Sequence, residues 1–178
     1  MNSQLLRRMA LIKLLSKNDA GQALAEMAYI SLILLVLVFG LIDFGRAIMA
    51  RQIIVNVSRE AANLASRGTA LTNVLAAVED SAKPLNIRGN GYIILTVVSR
   101  DDSGLATIVD QQAVGGAPKQ SKVGTGKGSS ATLPTEDLPG PHQTLVAAEV
   151  FYRYSPLTPV GKLLGIGSSS QLYDVAYF

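Results

Sequence analysis

The residue least expected from its surroundings is Glu26, a carboxylate at the edge of a long apolar segment. The 16 residues that follow it, 27–42, carry no charge. An ionised carboxylate in or beside hydrocarbon is costly, so such a residue usually has a partner or a function. Gly21 lies five residues earlier, in the sequence GQALAE. The simpler alternative is that Glu26 lies at a membrane interface and reaches lipid headgroups.

The composition excludes most familiar catalytic chemistry. The chain of 178 residues has no cysteine and one histidine, His142. It therefore has no disulfide, no thiol nucleophile and no multi-histidine metal site. A Ser–His–acid triad would need His142, and no nucleophile turn accompanies it. We expect no enzyme, no cofactor and no metal site.

The uncharged segment predicts a transmembrane helix over residues 22–45. Its 16 residues span about 24 Å as a helix, and the 20 residues that start at Ala23 span about 30 Å, the thickness of a hydrocarbon core. A soluble core helix normally keeps one polar side, which this segment lacks. Two glycines near its end, Gly40 and Gly45, are candidate sites of close helix packing or of a bend. The side chains that define the membrane helix are Leu32, Leu34, Leu35, Val36, Leu37, Val38 and Phe39.

Basic residues are concentrated before this helix, in a predicted leader over residues 1–21. The leader holds one acid, Asp19, and the four cations Arg7, Arg8, Lys13 and Lys17. The rest of the chain is neutral, so the formal net charge of +3 comes from the leader. Positive flanks stay cytoplasmic, which predicts a cytoplasmic N-terminus and an extracytoplasmic C-terminal region. Nucleic acid is not an expected partner, because the cations are not clustered on a folded face.

A glycine that ends a basic leader, five residues before a glutamate that opens an apolar helix, resembles the type IV prepilin processing signal. The resemblance implies that a prepilin peptidase cuts after Gly21 and leaves Gln22 as the first mature residue. Glu26 would then be the fifth mature residue. The new α-amine, positive near neutral pH, would pair with Glu26 of a neighbouring subunit and fix the register between helices.

Residues 40–46, GLIDFGR, and residues 58–62, SREAA, resemble the TadE-like proteins of the tight-adherence (Flp) pilus. The resemblance covers roughly residues 20–68 and implies a minor pseudopilin of the inner membrane that is needed for pilus assembly. A TadF-like protein is a near alternative. The implied partners are prepilin peptidase, other pilins and pseudopilins, an inner-membrane assembly platform with a separate ATPase motor, and the lipid bilayer.

Two other classes stay open. One is an uncleaved, single-pass, signal-anchored extracytoplasmic domain with a structural or binding role. The other is a secreted enzyme or binding domain that ordinary signal peptidase releases near Ala47 or Ala50, where small residues follow the apolar segment.

An amphipathic extension over residues 46–68 is predicted to continue the membrane helix as far as Arg67. Its apolar positions recur at helical spacing, and Gly68 is a natural stop. Asp43 and Arg46, three residues apart at the outer interface, are expected to pair with each other. A second helix is predicted over residues 72–82.

The remaining chain, 69–178, is predicted to be an extracytoplasmic α+β domain. β-Branched, compact segments predict four strands, at 92–98, 105–114, 144–154 and 170–178, and residues 160–164 predict a helical turn. The fold class is therefore α+β, with a long N-terminal helix packed on a small antiparallel sheet, as in pilins. Residues 115–141, rich in Gly, Ser, Lys and Pro, are predicted to form a flexible exposed loop without a packing face.

Overall fold

The computed structural model describes residues 19–163 and 171–178. Most of the predicted leader, residues 1–18, therefore lies outside the described residues. So do residues 164–170, which include Leu164 of the predicted helical turn and Ser170 of the predicted last strand.

One helix of 48 residues, α1 (Asp19–Ser66), forms both the predicted membrane helix and its amphipathic extension. At 1.5 Å per residue it is about 72 Å long. It ends beside Gly68, as predicted: this glycine has a φ of +85°, and its N–H donates to the Ala65 carbonyl (3.0 Å). A side chain is strained in that left-handed conformation, which is why glycine is favoured there.

The predicted α+β fold is confirmed. Four antiparallel strands form one sheet in the order β2-β1-β3-β4. Each strand lies within about two residues of its predicted bounds: β1 (Gly91–Arg100), β2 (Ala106–Gly115), β3 (Thr144–Arg153) and β4 (Gln171–Tyr177). Three shorter α-helices, α2 (Leu71–Ser81), the unpredicted α3 (Ile87–Asn90) and α4 (Pro159–Leu163), and a 3₁₀ turn (Thr135–Asp137) complete the described elements.

The main core lies between one face of the sheet and the C-terminal half of α1, which packs against β3, β4 and α2. Apolar residues at helical spacing along α1, such as Ile54 and Val57, meet alternate residues of β1 and β3, such as Leu95 and Val150. Their period of 3.6 on the helix and of 2 on the strands places each set on a single face. The N-terminal half of α1 takes no part in this core.

The 115–141 segment lies against the opposite face of the sheet, so the expectation that it lacks a packing face is wrong. Val123 is 1% exposed and packs in a second apolar cluster with Val98, Ala106 and Ala147. The segment has few large apolar residues, but the Val123 side chain is fully buried against the sheet. Its flexibility stays a prediction.

A buried carboxylate, Glu149 of β3, fixes the same segment by hydrogen bonds. It accepts from the backbone N–H of Lys122 (2.9 Å), from the hydroxyl of Ser121 and from the hydroxyl of Tyr173 (3.1 Å). Burial, with the nearby Glu149 charge, raises the pKa of Tyr173, so its phenol stays protonated and donates. The ammonium group of Lys122 lies 3.5 Å from the centroid of the Tyr173 ring. Both faces of the central strands are therefore covered.

Replacing Leu95 by alanine is expected to destabilise the domain by about 2–5 kcal/mol, because its fully buried side chain would leave a cavity between the sheet and α1. The matched control is Leu105→Ala, at a leucine that is 51% exposed in the β1–β2 turn, where the expected change is about 0.5 kcal/mol or less. Denaturant unfolding of the full chain in detergent, followed by tyrosine circular dichroism, measures both. Equal losses would contradict this description of the core.

Candidate functional site

The N-terminal half of α1 projects from the domain with its apolar side chains exposed. Leu24 and Leu41 are 73% and 70% exposed. Of the side chains predicted to face lipid, Phe39 is half-buried and the others are exposed: Leu32, Leu34, Leu35, Val36, Leu37 and Val38. An apolar surface of this extent normally marks contact with a membrane or another protein. Among the described residues, this helix is long and apolar enough to cross a membrane.

The predicted processing residues lie in the first turns of this helix. Gly21 and Gln22 are exposed, and a side chain added at Gly21 would meet no atom within 4 Å. Both residues therefore lie on the exposed surface of α1.

Glu26 is exposed, and its side chain accepts a hydrogen bond from Gln22. The Gln22 Nε2 donates to Glu26 Oε1 at 3.0 Å, one helical turn away. Within residues 19–163 and 171–178, no cation pairs with Glu26. The Glu26 carboxylate can therefore pair with a cation that lies outside these residues. Gln22 is uncharged, and its hydrogen bond only orients the carboxylate.

Gly40 and Gly45, predicted to allow close helix packing, have no neighbour close enough to require a glycine. A Cβ at either position would meet no atom within 4 Å. Neither glycine is needed for packing within the described chain, and α1 continues through both without interruption. Their part in contacts with another helix stays a prediction.

Asp43 forms the principal junction between α1 and the C-terminal region, and sequence reasoning missed it. The side chain is 3% exposed. Its Oδ1 accepts from the backbone N–H groups of Leu157 (2.8 Å) and Thr158 (3.2 Å), and its Oδ2 accepts from the Thr158 hydroxyl (2.5 Å). The expected pairing of Asp43 with Arg46 is therefore wrong: backbone and hydroxyl donors some 114 residues away take its place.

The chain around Asp43 is shaped to bring those donors together. Thr158 caps α4: its hydroxyl accepts from the Gly161 N–H (3.1 Å), and Pro159 follows it as the first helical residue. A Cβ on Gly161 would lie 2.1 Å from Asp43 Oδ2, so only glycine fits. The Tyr154 hydroxyl donates to the Asp43 carbonyl (2.8 Å), and burial raises the pKa of Tyr154, which keeps that proton in place. A Thr-Pro pair after the last long strand is the sequence signal for such a cap.

A second junction ties α1 to the last strand. The fully buried hydroxyl of Ser58 donates to Asp174 Oδ2 (2.5 Å), and the Arg51 guanidinium donates to the Tyr173 carbonyl (2.9 Å). Ser58 belongs to the SREAA sequence and Asp43 to the GLIDFGR sequence. Both sequences thus contribute a polar residue that holds C-terminal elements on the helix.

Fold and site together define a small helix-on-sheet domain that carries a projecting apolar helix with a carboxylate near its start. Residues 21–63, 43 of the 178 in the chain, match the family described as TadE-like protein. The match confirms the resemblance predicted from the sequence, and it includes Glu26, Asp43 and Ser58. It indicates a protein associated with the tight-adherence pilus. No curated protein and no solved structure matches the chain.

Removing the Asp43 carboxylate is expected to release the Pro156–α4 segment, because its donors would lose their common acceptor. In Asp43→Ala and in Gly161→Ala, we expect the amide protons of Leu157 and Thr158 to exchange at least about tenfold faster. The matched control is Gly45→Ala, which adds the same methyl group to α1 where nothing lies within 4 Å. Hydrogen exchange of the full chain in detergent measures all three, and unchanged protection in Asp43→Ala would refute the junction.

Proposed function

We propose that this protein is a minor pseudopilin, TadE-like in function, that prepilin peptidase processes after Gly21 and that assembly of a tight-adherence pilus requires. The observation that carries the proposal is the position of Gly21, Gln22 and Glu26 at the start of an exposed, uncharged helical segment. In this proposal the chain crosses the inner membrane once, with its N-terminus in the cytoplasm and its domain outside. Its incorporation into the filament is part of the proposal.

Glu26 would act in assembly as a register point. Cleavage after Gly21 creates an α-amine on Gln22, which is positive near neutral pH. In a low-dielectric bundle of helices an unpaired charge is costly, so the amine of one subunit and Glu26 of the next would favour one axial alignment.

Association between apolar helices would by itself contribute little free energy to filament assembly. Apolar side chains such as those of residues 32–39 are as well solvated by lipid as by other apolar helices. Moving the helix from the bilayer into a filament therefore fits an external energy source, the separate ATPase motor of the assembly platform. Because α1 continues without interruption into the domain core, a pull on its apolar half would carry the sheet with it.

The secreted alternative conflicts with the packing of α1. Cleavage near Ala47 or Ala50 would cut the helix inside the domain, where Ala50 is 2% exposed in the main core. It would also separate Asp43 from the cap that it holds. The packing thus favours a product that keeps α1 from Asp43 onward.

Gly21→Ala is expected to block processing while it leaves folding intact, since a methyl group at this position meets no atom within 4 Å. Electrophoretic mobility of the protein in membranes, with the peptidase present, should show a shortened wild type and a full-length variant. Gly45→Ala, the same change within α1, should be shortened like the wild type. Equal shortening of Gly21→Ala would rule out the proposed cleavage site.

Glu26→Leu and Glu26→Gln are both expected to reduce piliation strongly while membrane insertion and processing continue. The glutamine variant keeps a hydrogen-bonding side chain and loses only the charge, so it tests the ion pair itself. Glu60→Leu, at an exposed glutamate in the other half of α1, is the control and should support normal piliation. Pili counted by electron microscopy provide the readout, and normal piliation of Glu26→Gln would remove the register role.

A further inference from the structure

Two strongly exposed leucines flank the junction at Asp43, although the segment between them is held firmly on α1. Leu157 is 59% exposed and Leu163 is 86% exposed. The backbone of Leu157 donates to Asp43, so this side chain is directed outward by an ordered turn. Exposed apolar residues on an ordered turn, beside a projecting apolar helix, indicate that a lipid or protein surface covers them.

The surface around the turn has an apolar part and a cationic part. An apolar groove, which we call the junction groove, is lined by Val36, Leu37, Gly40, Leu41, Phe44 and Val160. It is continuous with the exposed side of the projecting helix. Arg46 and Lys162, with Leu157 and Tyr154, line a second recess, and both cations are exposed there.

Distances along α1 place these two parts at different depths. From Glu26 to Asp43 the helix rises about 25 Å, and from Glu26 to Arg46 about 30 Å, which is the thickness of a hydrocarbon core. If Glu26 lies at the cytoplasmic interface, the junction groove faces the outer acyl chains. Arg46 and Lys162 then lie at the level of the outer headgroups, where cations attract anionic lipids.

From this arrangement we infer that the turn between Leu157 and Leu163 is a second membrane contact, which seats the domain on the outer leaflet and binds an anionic phospholipid. One acyl chain occupies the junction groove, and the phosphate lies between Arg46 and Lys162. The two leucines enter the interfacial layer of the membrane. Because the Asp43 junction holds the turn on α1, this contact also fixes the position of the domain on the membrane surface. The inference rests on the membrane insertion proposed above.

The chain contains no tryptophan, so single-tryptophan variants report depth without background. Full-length Leu157→Trp, Leu163→Trp, Leu34→Trp and Leu105→Trp would each be reconstituted in vesicles of phosphatidylcholine with brominated acyl chains. Leu105 is the matched control. It is a half-exposed leucine in the β1–β2 turn, at the sheet end opposite Tyr154, because β1 pairs with the start of β3 at Ser99 and Thr144.

Strong quenching is expected for Leu34→Trp, intermediate quenching for both turn variants, at least about twofold above the control, and little for Leu105→Trp. If Leu34→Trp is quenched and both turn variants match the control, the inference fails and the membrane span survives. If Leu34→Trp is not quenched, the proposed insertion itself fails.

Charge is tested in the Leu157→Trp background with vesicles that contain equal amounts of phosphatidylcholine and phosphatidylglycerol, both with brominated acyl chains, so that the bromine content is unchanged. Quenching should rise above that in phosphatidylcholine alone, and Lys162→Glu should abolish the rise. Lys127→Glu, the same reversal at an exposed lysine in the 115–141 segment, should keep it. An equal rise in quenching in Lys162→Glu and Lys127→Glu would show that Lys162 does not bind an anionic headgroup, which would contradict that part of the inference.

Discussion

The structure depends on the hydrogen bonds that Asp43 accepts at the place where α1 changes surroundings. Before this residue the helix exposes apolar side chains on nearly all sides, and after it one side is buried against the sheet. A carboxylate at such a boundary is stable only if its oxygens are fully satisfied. Leu157 and Thr158 provide those donors, and in doing so they hold their own segment beside the point where the projecting half of α1 ends.

The rest of the domain follows from the need to cover both faces of a small sheet. The C-terminal half of α1 covers one face, and Ser58 and Arg51 attach the edge strand β4 to it. The 115–141 segment covers the other face with the buried Val123 and the partly buried Leu133 and Leu138, and Glu149 of β3 holds it there by hydrogen bonds. A buried carboxylate is tolerated there because three donors surround it. The C-terminal half of α1 and the 115–141 segment thus enclose the sheet between them.

Local signals in the sequence predicted the long helix, the second helix and the four strands, but not the short α3. The uncharged residues before Asp43 predict an exposed helix, Gly68 predicts its end, and β-branched segments such as residues 92–98 predict strands. The antiparallel pairing of β1 with β2 follows from the short turn that joins them, whereas β3 and β4 reach their places in the sheet through longer connections. The family resemblance was also available, because Gly21, Glu26 and the GLIDFGR sequence lie close together along the chain.

Contacts between residues far apart in the sequence could not be predicted from such local signals. Asp43 has a nearby cation, Arg46, and sequence distance favours that pair, whereas the fold delivers stronger donors from far along the chain. Val123 lies in a polar segment, so composition hides its burial, and Glu149 looks like a surface charge until the segment covers it. Tertiary packing determines the partners and the burial of these residues, and local sequence spacing carries no information about that packing.

The central claim is that the chain is processed at Gly21 and acts as a pilin-like subunit. The intact mass of the wild-type protein, purified from membranes of cells with and without a tight-adherence prepilin peptidase, tests it most directly. We predict a peptidase-dependent chain that begins at Gln22, with its amine free, methylated or cyclised. A chain that retains residues 1–21 in both kinds of cell would contradict the claim and leave a membrane-anchored domain.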